Sequence, residues 1–159
     1  MERGILAHGR YRYRLWRRWQ PGTASLLWVM LNPSTADEVV DDPTIRRCIG
    51  LARGWGFGAI EVVNLYGLRA TRPAALFRAR DPVGPGNDAA IAACASSADA
   101  VALAWGAHGV GPRRDVVLGL LAGRRLFCLG STRRGEPRHP LYVPATVRPR
   151  AWHTAFAAP

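Results

Sequence analysis

The sequence predicts an α/β fold: three layers, α/β/α, around a central four-stranded parallel sheet. Three observations carry this. Four short apolar runs, at 26–31, 60–65, 100–105 and 125–130, have strand length and little alternation, as strands covered on both faces do. Segments with helical spacing of apolar residues lie between them. Gly- and Pro-rich turns punctuate the series, and a strand–helix–strand order favours parallel pairing through helical crossovers.

The elements follow in order. Residues 10–19, "RYRYRLWRRW", alternate basic with aromatic or apolar side chains, the period of a half-exposed strand. "QPGT" at 20–23 is a turn, and "LLWVML" at 26–31 is the first buried strand. A helix is expected from Asp42-Pro43-Thr44, with Asp42 as N-cap and Pro43 at the first helical position. Its inward stripe is Ile45, Cys48, Ile49 and Ala52, and it ends near Gly54–Gly58. "IEVVNL" at 60–65 is a strand and "DPVGPGND" a loop. Residues 88–98 read as an Ala-rich helix with Asn87 or Asp88 near its start, and "AVALAW" as a strand. Residues 113–122 read as a helix with Val116, Val117, Leu120 and Leu121 inward and Gly123 as its stop. "RLFCLG" at 125–130 is the last strand, and the remainder is loop-rich. The Trp16, Trp19 and Trp28 stripe suits packing better than base stacking.

The length, 159 residues with 48% hydrophobic, fits one domain spanning 1–159, with a motif-bearing core of about 26–143. No apolar run reaches membrane-span length, and "MERGILAHGRYRYRLWRRW" lacks the apolar core of a signal peptide, so a cytoplasmic monomer is expected. Cys48, Cys94 and Cys128 are widely spaced with no CxxC pair, which suits free thiols and argues against a metal site. The net charge is +11, and all 22 basic residues are Arg. A domain this basic is a candidate for binding polyanions, nucleic acid above all.

In open α/β sheets, ligands bind beyond the carboxyl ends of the strands. Those positions hold Asn32-Pro33-Ser34-Thr35, Asn64, Gly106, and Ser131-Thr132 followed by "RHPLYVP". No GxGxxG, GxxxxGKS or GxSxG motif is present, nor the HxE with PCxxC of a zinc deaminase. The set is rich in amides flanked by arginines, which suits hydrogen-bond reading of a planar heterocycle.

These residues resemble motifs of the uracil-DNA glycosylase superfamily. Its mismatch-specific and thymine-DNA branch carries Gly-Ile-Asn-Pro-Gly after the first strand, where this chain has Met30-Leu31-Asn32-Pro33-Ser34. "VVNLYGLRATRP" resembles its second-strand Asn motif, "VALAWGAHG" its strand ending in Trp-Gly, and "RHPLYVP" part of its late His-Pro-Ser motif. Leu141 stands where that motif has Ser. The chain is also similar to a bacterial domain family without an assigned function that shares "MLNPSTAD", "DDPTIRRCIG" and "RHPLYV".

The resemblance implies roles. Asn32 would position the water that attacks C1′, against the alternative of a turn-forming Asn before Pro. Asn64 would read the edge of a flipped base, against a strand-end Asn serving the backbone. His139 would donate to a base carbonyl as charge builds on the leaving group, against an exposed loop His. Ser34 and Tyr66 are further candidates for base binding, with Trp55 and Phe57 as other possible stacking partners. Arg133, Arg134, Arg138, Arg46 and Arg47 would contact phosphate, and Leu141 and Tyr142 would fill the vacated stack. The acids Asp37, Glu38, Asp41 and Asp42 leave two readings open. Asp37 or Asp41 would reach the base as a proton acceptor or as partner of an exocyclic amino group; alternatively the run is a solvated or capping loop, with at least one acid paired to Arg46 or Arg47 or facing the pocket.

The expectation is therefore a monofunctional DNA glycosylase needing no cofactor and no metal, acting on DNA by flipping one nucleotide and leaving an abasic site. Schiff-base lyase chemistry is excluded because the chain has no Lys. The substrate expectation is uracil or mismatched thymine, or a modified or hypermodified cytosine as in phage DNA, so repair and antiviral defence both stay open. Two rivals remain: a hydrolase or transferase of free nucleosides or nucleotides, and a non-catalytic nucleic-acid-binding domain.

Overall fold

The structure, a computed structural model, describes residues 1–153. Its centre is β3 (Ser25–Met30), which pairs in parallel with β4 (Ala59–Asn64) on one side and β5 (Ala100–Leu103) on the other. Leu26, Trp28 and Met30 enter one apolar cluster and Leu27 and Val29 the other. This is why the run is apolar throughout: both faces of the strand are covered. Beyond β5 lies β6 (Leu126–Cys128), again parallel.

The sheet is mixed, with seven strands rather than four. The hairpin β1 (Glu2–His8) and β2 (Tyr11–Arg18) adds to β4 through an antiparallel β2–β4 pairing, and β7 (Arg150–Ala151) adds antiparallel to β6. The strand order is β1-β2-β4-β3-β5-β6-β7. The sequence conceals β1 because Gly4 is its one buried residue. That glycine is required by packing: a Cβ there would lie 2.1 Å from the Trp16 ring.

Helices cover both faces. α1 (Pro43–Gly54) packs Ile45, Cys48, Ile49, Leu51 and Ala52 against the face of Trp28 and Val62. Asp42 caps it, its Oδ1 accepting from the Ile45 N–H at 2.9 Å, with Pro43 opening the helix. α2 (Pro73–Arg78) is a short helix in a stretch to which the sequence pattern assigns no element. α3 (Asn87–Ser97) and α4 (Pro112–Leu120) pack Ile91, Cys94, Ala95 and Val117 against Val29, Val63 and Leu103 on the other face. Val116, expected inward on α4, is instead 50% exposed, because Val117 and Leu121 carry the contact with the sheet.

Arg12 and Arg17 correct the half-exposed reading of β2, being 2% and 0% exposed. The loop after β3 lies over them, so they are buried by chain that is distant in sequence. All three cysteines are buried as free thiols. Among the described residues, no helix is long and apolar enough to cross a membrane.

Candidate functional site

Because β3, β4, β5 and β6 run parallel, their carboxyl ends share one edge of the sheet. A cleft of about 690 Å³ opens there. Asn32, Ser34, Asn64, Arg133, Arg138, His139, Leu141 and Tyr142 all line it, with Arg12, Asp42, Trp105 and Gly106.

Asn64, the last residue of β4, forms the polar centre. It is 1% exposed, and neither its Nδ2 nor its Oδ1 meets a protein partner. A buried unpaired polar group costs about 1–3 kcal/mol, so two on one amide call for an explanation. The surrounding backbone is fixed by Asn87, whose Nδ2 donates to the carbonyls of Asn64 at 2.9 Å and Leu65 at 3.1 Å.

Asn32 follows β3. Its Nδ2 donates to the carbonyls of Ala70 at 2.7 Å and Pro33 at 3.0 Å. With its donor so held, its Oδ1 is the group left to accept from a ligand or water. Asn32 is thus clamped where Asn64 is unpartnered.

His139 sits on the loop after β6. The Leu141 N–H donates to its Nδ1 at 3.1 Å. An accepting Nδ1 carries no proton, so in the neutral ring the hydrogen is on Nε2, available as a donor. Burial holds the imidazole below its ordinary pKa, and the nearby Asp42 carboxylate partly offsets this. The loop is fastened by Glu136, which is 0% exposed, accepts from Trp105 Nε1 at 2.7 Å and pairs with Arg114. The Gly106 N–H donates to the Pro137 carbonyl at 2.9 Å, binding this loop to the end of β5. Gly106 has φ 77°, where a side chain is strained, and a Cβ there would meet the His139 Cβ at 3.4 Å.

Arg12 places a buried cation in the cleft wall. Its Nη1 donates to the Ala36 carbonyl at 2.9 Å, while its Nε has no partner. Burial pulls its pKa down to about 10, against the raising effect of Asp42 and with lesser lowering from Arg69 and Arg17, so it stays charged at neutral pH.

Other expected site residues lie elsewhere. Asp37 does not line the cleft: its Oδ1 accepts from the N–H groups of Val39 at 2.8 Å and Val40 at 2.6 Å, closing a local turn. Those two bonds hold its pKa below the usual carboxylate value. Asp41 does not line it either: its Oδ1 takes the Arg17 Nε at 2.8 Å. Asp41 thus pairs with a buried β2 arginine rather than with Arg46 or Arg47, and Arg46 donates to the Asp41 carbonyl at 2.6 Å. Asp42 is the acid of the run that lines the cleft, but its oxygens accept from the backbone of Ile45 and, at 3.3 Å, of Ala36.

Tyr66 lies outside the cleft, its ring edge-on to Phe77 at 5.6 Å. Trp55 and Phe57 pack beside α1, also outside it. Arg134 is exposed and outside the cleft, and Arg46 and Arg47 line a neighbouring recess. Arg124 supports α3, donating to the carbonyls of Ala95 and Ala98. Sequence reasoning missed Arg12, Trp105 and Glu136 as site components. The available signal for Trp105 was its place at the end of an apolar run; for Arg12 and Glu136 there was none, since their burial comes from distant segments. Among the described residues, no group of three or more His, Cys, Asp or Glu is placed to hold a metal ion.

Fold and cleft together define a mixed α/β protein with an amide- and arginine-lined cleft at the carboxyl ends of its parallel strands. More particularly, the chain belongs to the family described as Protein of unknown function (DUF1643), which it matches over residues 12–141. That span runs from the buried Arg12 to Leu141 and includes Asn32, Asn64 and His139. No curated protein and no solved structure matches the chain.

Proposed function

We propose that the protein is a monofunctional DNA N-glycosylase, with the parallel strands β4-β3-β5-β6 as a uracil-DNA-glycosylase-like core. The observation that carries this reading is the unpartnered Asn64 amide, buried in a cleft it shares with Asn32 and His139. An amide offers one donor and one acceptor direction side by side, which matches the edge of a nucleobase.

The residues divide the work as follows. A flipped base enters the cleft and meets the Asn64 Nδ2 and Oδ1. Asn32, held through its Nδ2, presents Oδ1 to a water facing C1′. As the C1′–N bond lengthens, its electron pair leaves with the base, and the His139 Nε2–H donates to the base carbonyl that gathers the charge. The Arg12 guanidinium adds a fixed positive field behind it. The water oxygen bonds to C1′, one of its protons ends on the departing base, and an abasic sugar remains. Tyr142, 79% exposed, and Leu141, 40% exposed, stand at the cleft where a wedge into the base stack is needed.

The substrate is uracil or mismatched thymine, or a modified or hypermodified cytosine. With Asp37 and Asp41 outside the cleft, their support for an amino-bearing base falls away. A volume of about 690 Å³ supports a base with a substituent, since clefts of this size bury drug-sized ligands. The same volume favours, as a second reading, an enzyme of free nucleosides or nucleotides.

Incubation with a panel of base-modified duplexes, followed by alkaline cleavage at abasic sites, tests the reaction. Strand scission with one duplex, absent with Asn32→Ala, is the expected result; no scission on any duplex overturns it. Retained biological effect with Asn32→Ala would point to a non-catalytic binder. Asn64→Leu should abolish scission while leaving stability equal to or above that of the wild type, because it removes two unpaired polar atoms.

A further inference from the structure

The cleft does not end at the base. A second recess of about 510 Å³ adjoins it and shares Ser34, Ala70 and Thr71 with it. Three arginines, Arg10, Arg69 and Arg78, line this recess, and no acid does. A further recess of about 480 Å³ holds Arg46 and Arg47 and shares Leu141 with the cleft.

Some arginines elsewhere in the chain are matched to carboxylates, and others, such as Arg12 and Arg124, to backbone carbonyls. Arg14 pairs with Glu61, Arg17 with Asp41, Arg113 with Asp88 and Arg114 with Glu136. Among the described residues, none of the five arginines in the two recesses has a carboxylate partner. The Arg69 Nε is buried with no partner at all. Arg10 and Arg69 are also held together, the Arg69 N–H donating to the Arg10 carbonyl at 3.0 Å. Like charges gathered in a concave wall without counter-charge raise the local potential and favour an anion. Guanidinium groups with neighbouring Ser34 and Thr71 hydroxyls suit phosphate oxygens.

We infer that the Arg10–Arg69–Arg78 recess is a phosphate subsite, and that a nucleic-acid strand runs from it across the base cleft to Arg46 and Arg47. The strand path rests on the glycosylase reading; the phosphate subsite does not. The wall between recess and cleft gives the subsite its use. The Ala70 N–H donates to the Pro33 carbonyl at 2.9 Å, and the Ala70 carbonyl receives the Asn32 Nδ2. A phosphate seated against this wall is referenced to the same backbone that fixes Asn32, so backbone grip and water position are set together.

The test is fluorescence anisotropy of a labelled duplex carrying a tetrahydrofuran abasic analogue, titrated over a range of salt. R10A/R78A should lower the slope of log affinity against log salt by about 0.9, the value of one lost phosphate contact. R10K/R78K should restore most of it, which separates charge from damage to the fold. Arg53→Ala, at the far end of α1 and stacked over Trp19, should leave it unchanged. A wild-type slope in R10A/R78A overturns the inference. If the wild type binds no duplex, the glycosylase reading and the strand path fail together. Calorimetric titration with thymidine 5′-monophosphate then decides the subsite: binding that R10A/R78A loses supports it, and no binding by the wild type overturns it.

Discussion

Two loops frame the cleft, and they are held in opposite ways. The loop after β3, residues 33–42, carries four acids, and three of them secure the loop itself: Asp37 closes a turn, Asp41 pairs with Arg17, and Asp42 caps α1. The loop after β6, residues 131–143, carries one acid, Glu136, which is fully buried and bonded to Trp105 and Arg114. The first loop is fastened at several points, from the turn at Asp37 to the ion pair of Asp41 with the buried Arg17. The second has one side-chain anchor, a desolvated carboxylate, beside backbone bonds such as that from Gly106 to Pro137. Of the acids that stand out in sequence, Asp42 lines the cleft while Asp37 and Asp41 do not, and the acid that holds the His139 loop does not stand out at all.

The sharpest way to break this contrast is Glu136→Ala. It leaves the buried Trp105 indole N–H without its acceptor and takes one of two carboxylate partners from the partly exposed Arg114, and an unmet buried donor costs about 1–3 kcal/mol. Urea denaturation should show it, together with a collapse of the proposed glycosylase activity; a cost near that of an exposed ion pair would erase the distinction between the loops. His139→Gln comes next: on the glycosylase proposal it should lower turnover by about 10²-fold or more while leaving duplex affinity near wild type, as loss of one acid–base group does. Its pH signature has a definite sign. Burial depresses the folded-state pKa of His139 below the ordinary 6.5, so the unfolded chain takes up the proton first. Stability from this group is present above the unfolded value and is lost as pH falls towards the folded one. Urea midpoints measured through that window should slope less in His139→Gln than in the wild type.

Asp42→Ala should cost about 1 kcal/mol, the usual value of an N-cap, with a further loss from the Ala36 contact, read as a shift in urea midpoint. Asp37→Asn should have the smallest effect at neutral pH. Its carboxylate is stabilised by two backbone N–H groups, so its contribution is present above the ordinary value near 3.8 and is lost as pH falls through the depressed one. Acid titration of stability in Asp37→Asn against wild type measures it.

The parallel strands were legible because Leu26–Leu31 and its counterparts must be apolar on both faces, and a run of that kind has one reading at strand length. The same topology rule places Asn32, Asn64 and His139 at one sheet edge from sequence alone. β1 and β7 were not legible, since an edge strand is recruited by backbone pairing and needs little apolar sequence. Arg12 and Arg17 defeated the period-2 reading because that reading assumes charge faces water. Here the Ala36–Asp41 chain supplies the carbonyls and the carboxylate that allow two guanidinium groups to be buried. Asp37 and Asp41 were misplaced for the complementary reason: spacing shows that acids are close together, not which distant partner each has taken.

The buried cysteines have a practical consequence. Burial pushes the Cys94 thiol up to about 12 and the Cys48 thiol beyond that range, and Cys128 is only 4% exposed. Thiolate is the reacting species, so the folded chain offers alkylating dyes almost no background. A single cysteine introduced at the 40% exposed Leu141 would be the one fast-labelling position, ready to report movement of the His139 loop without removing any native thiol.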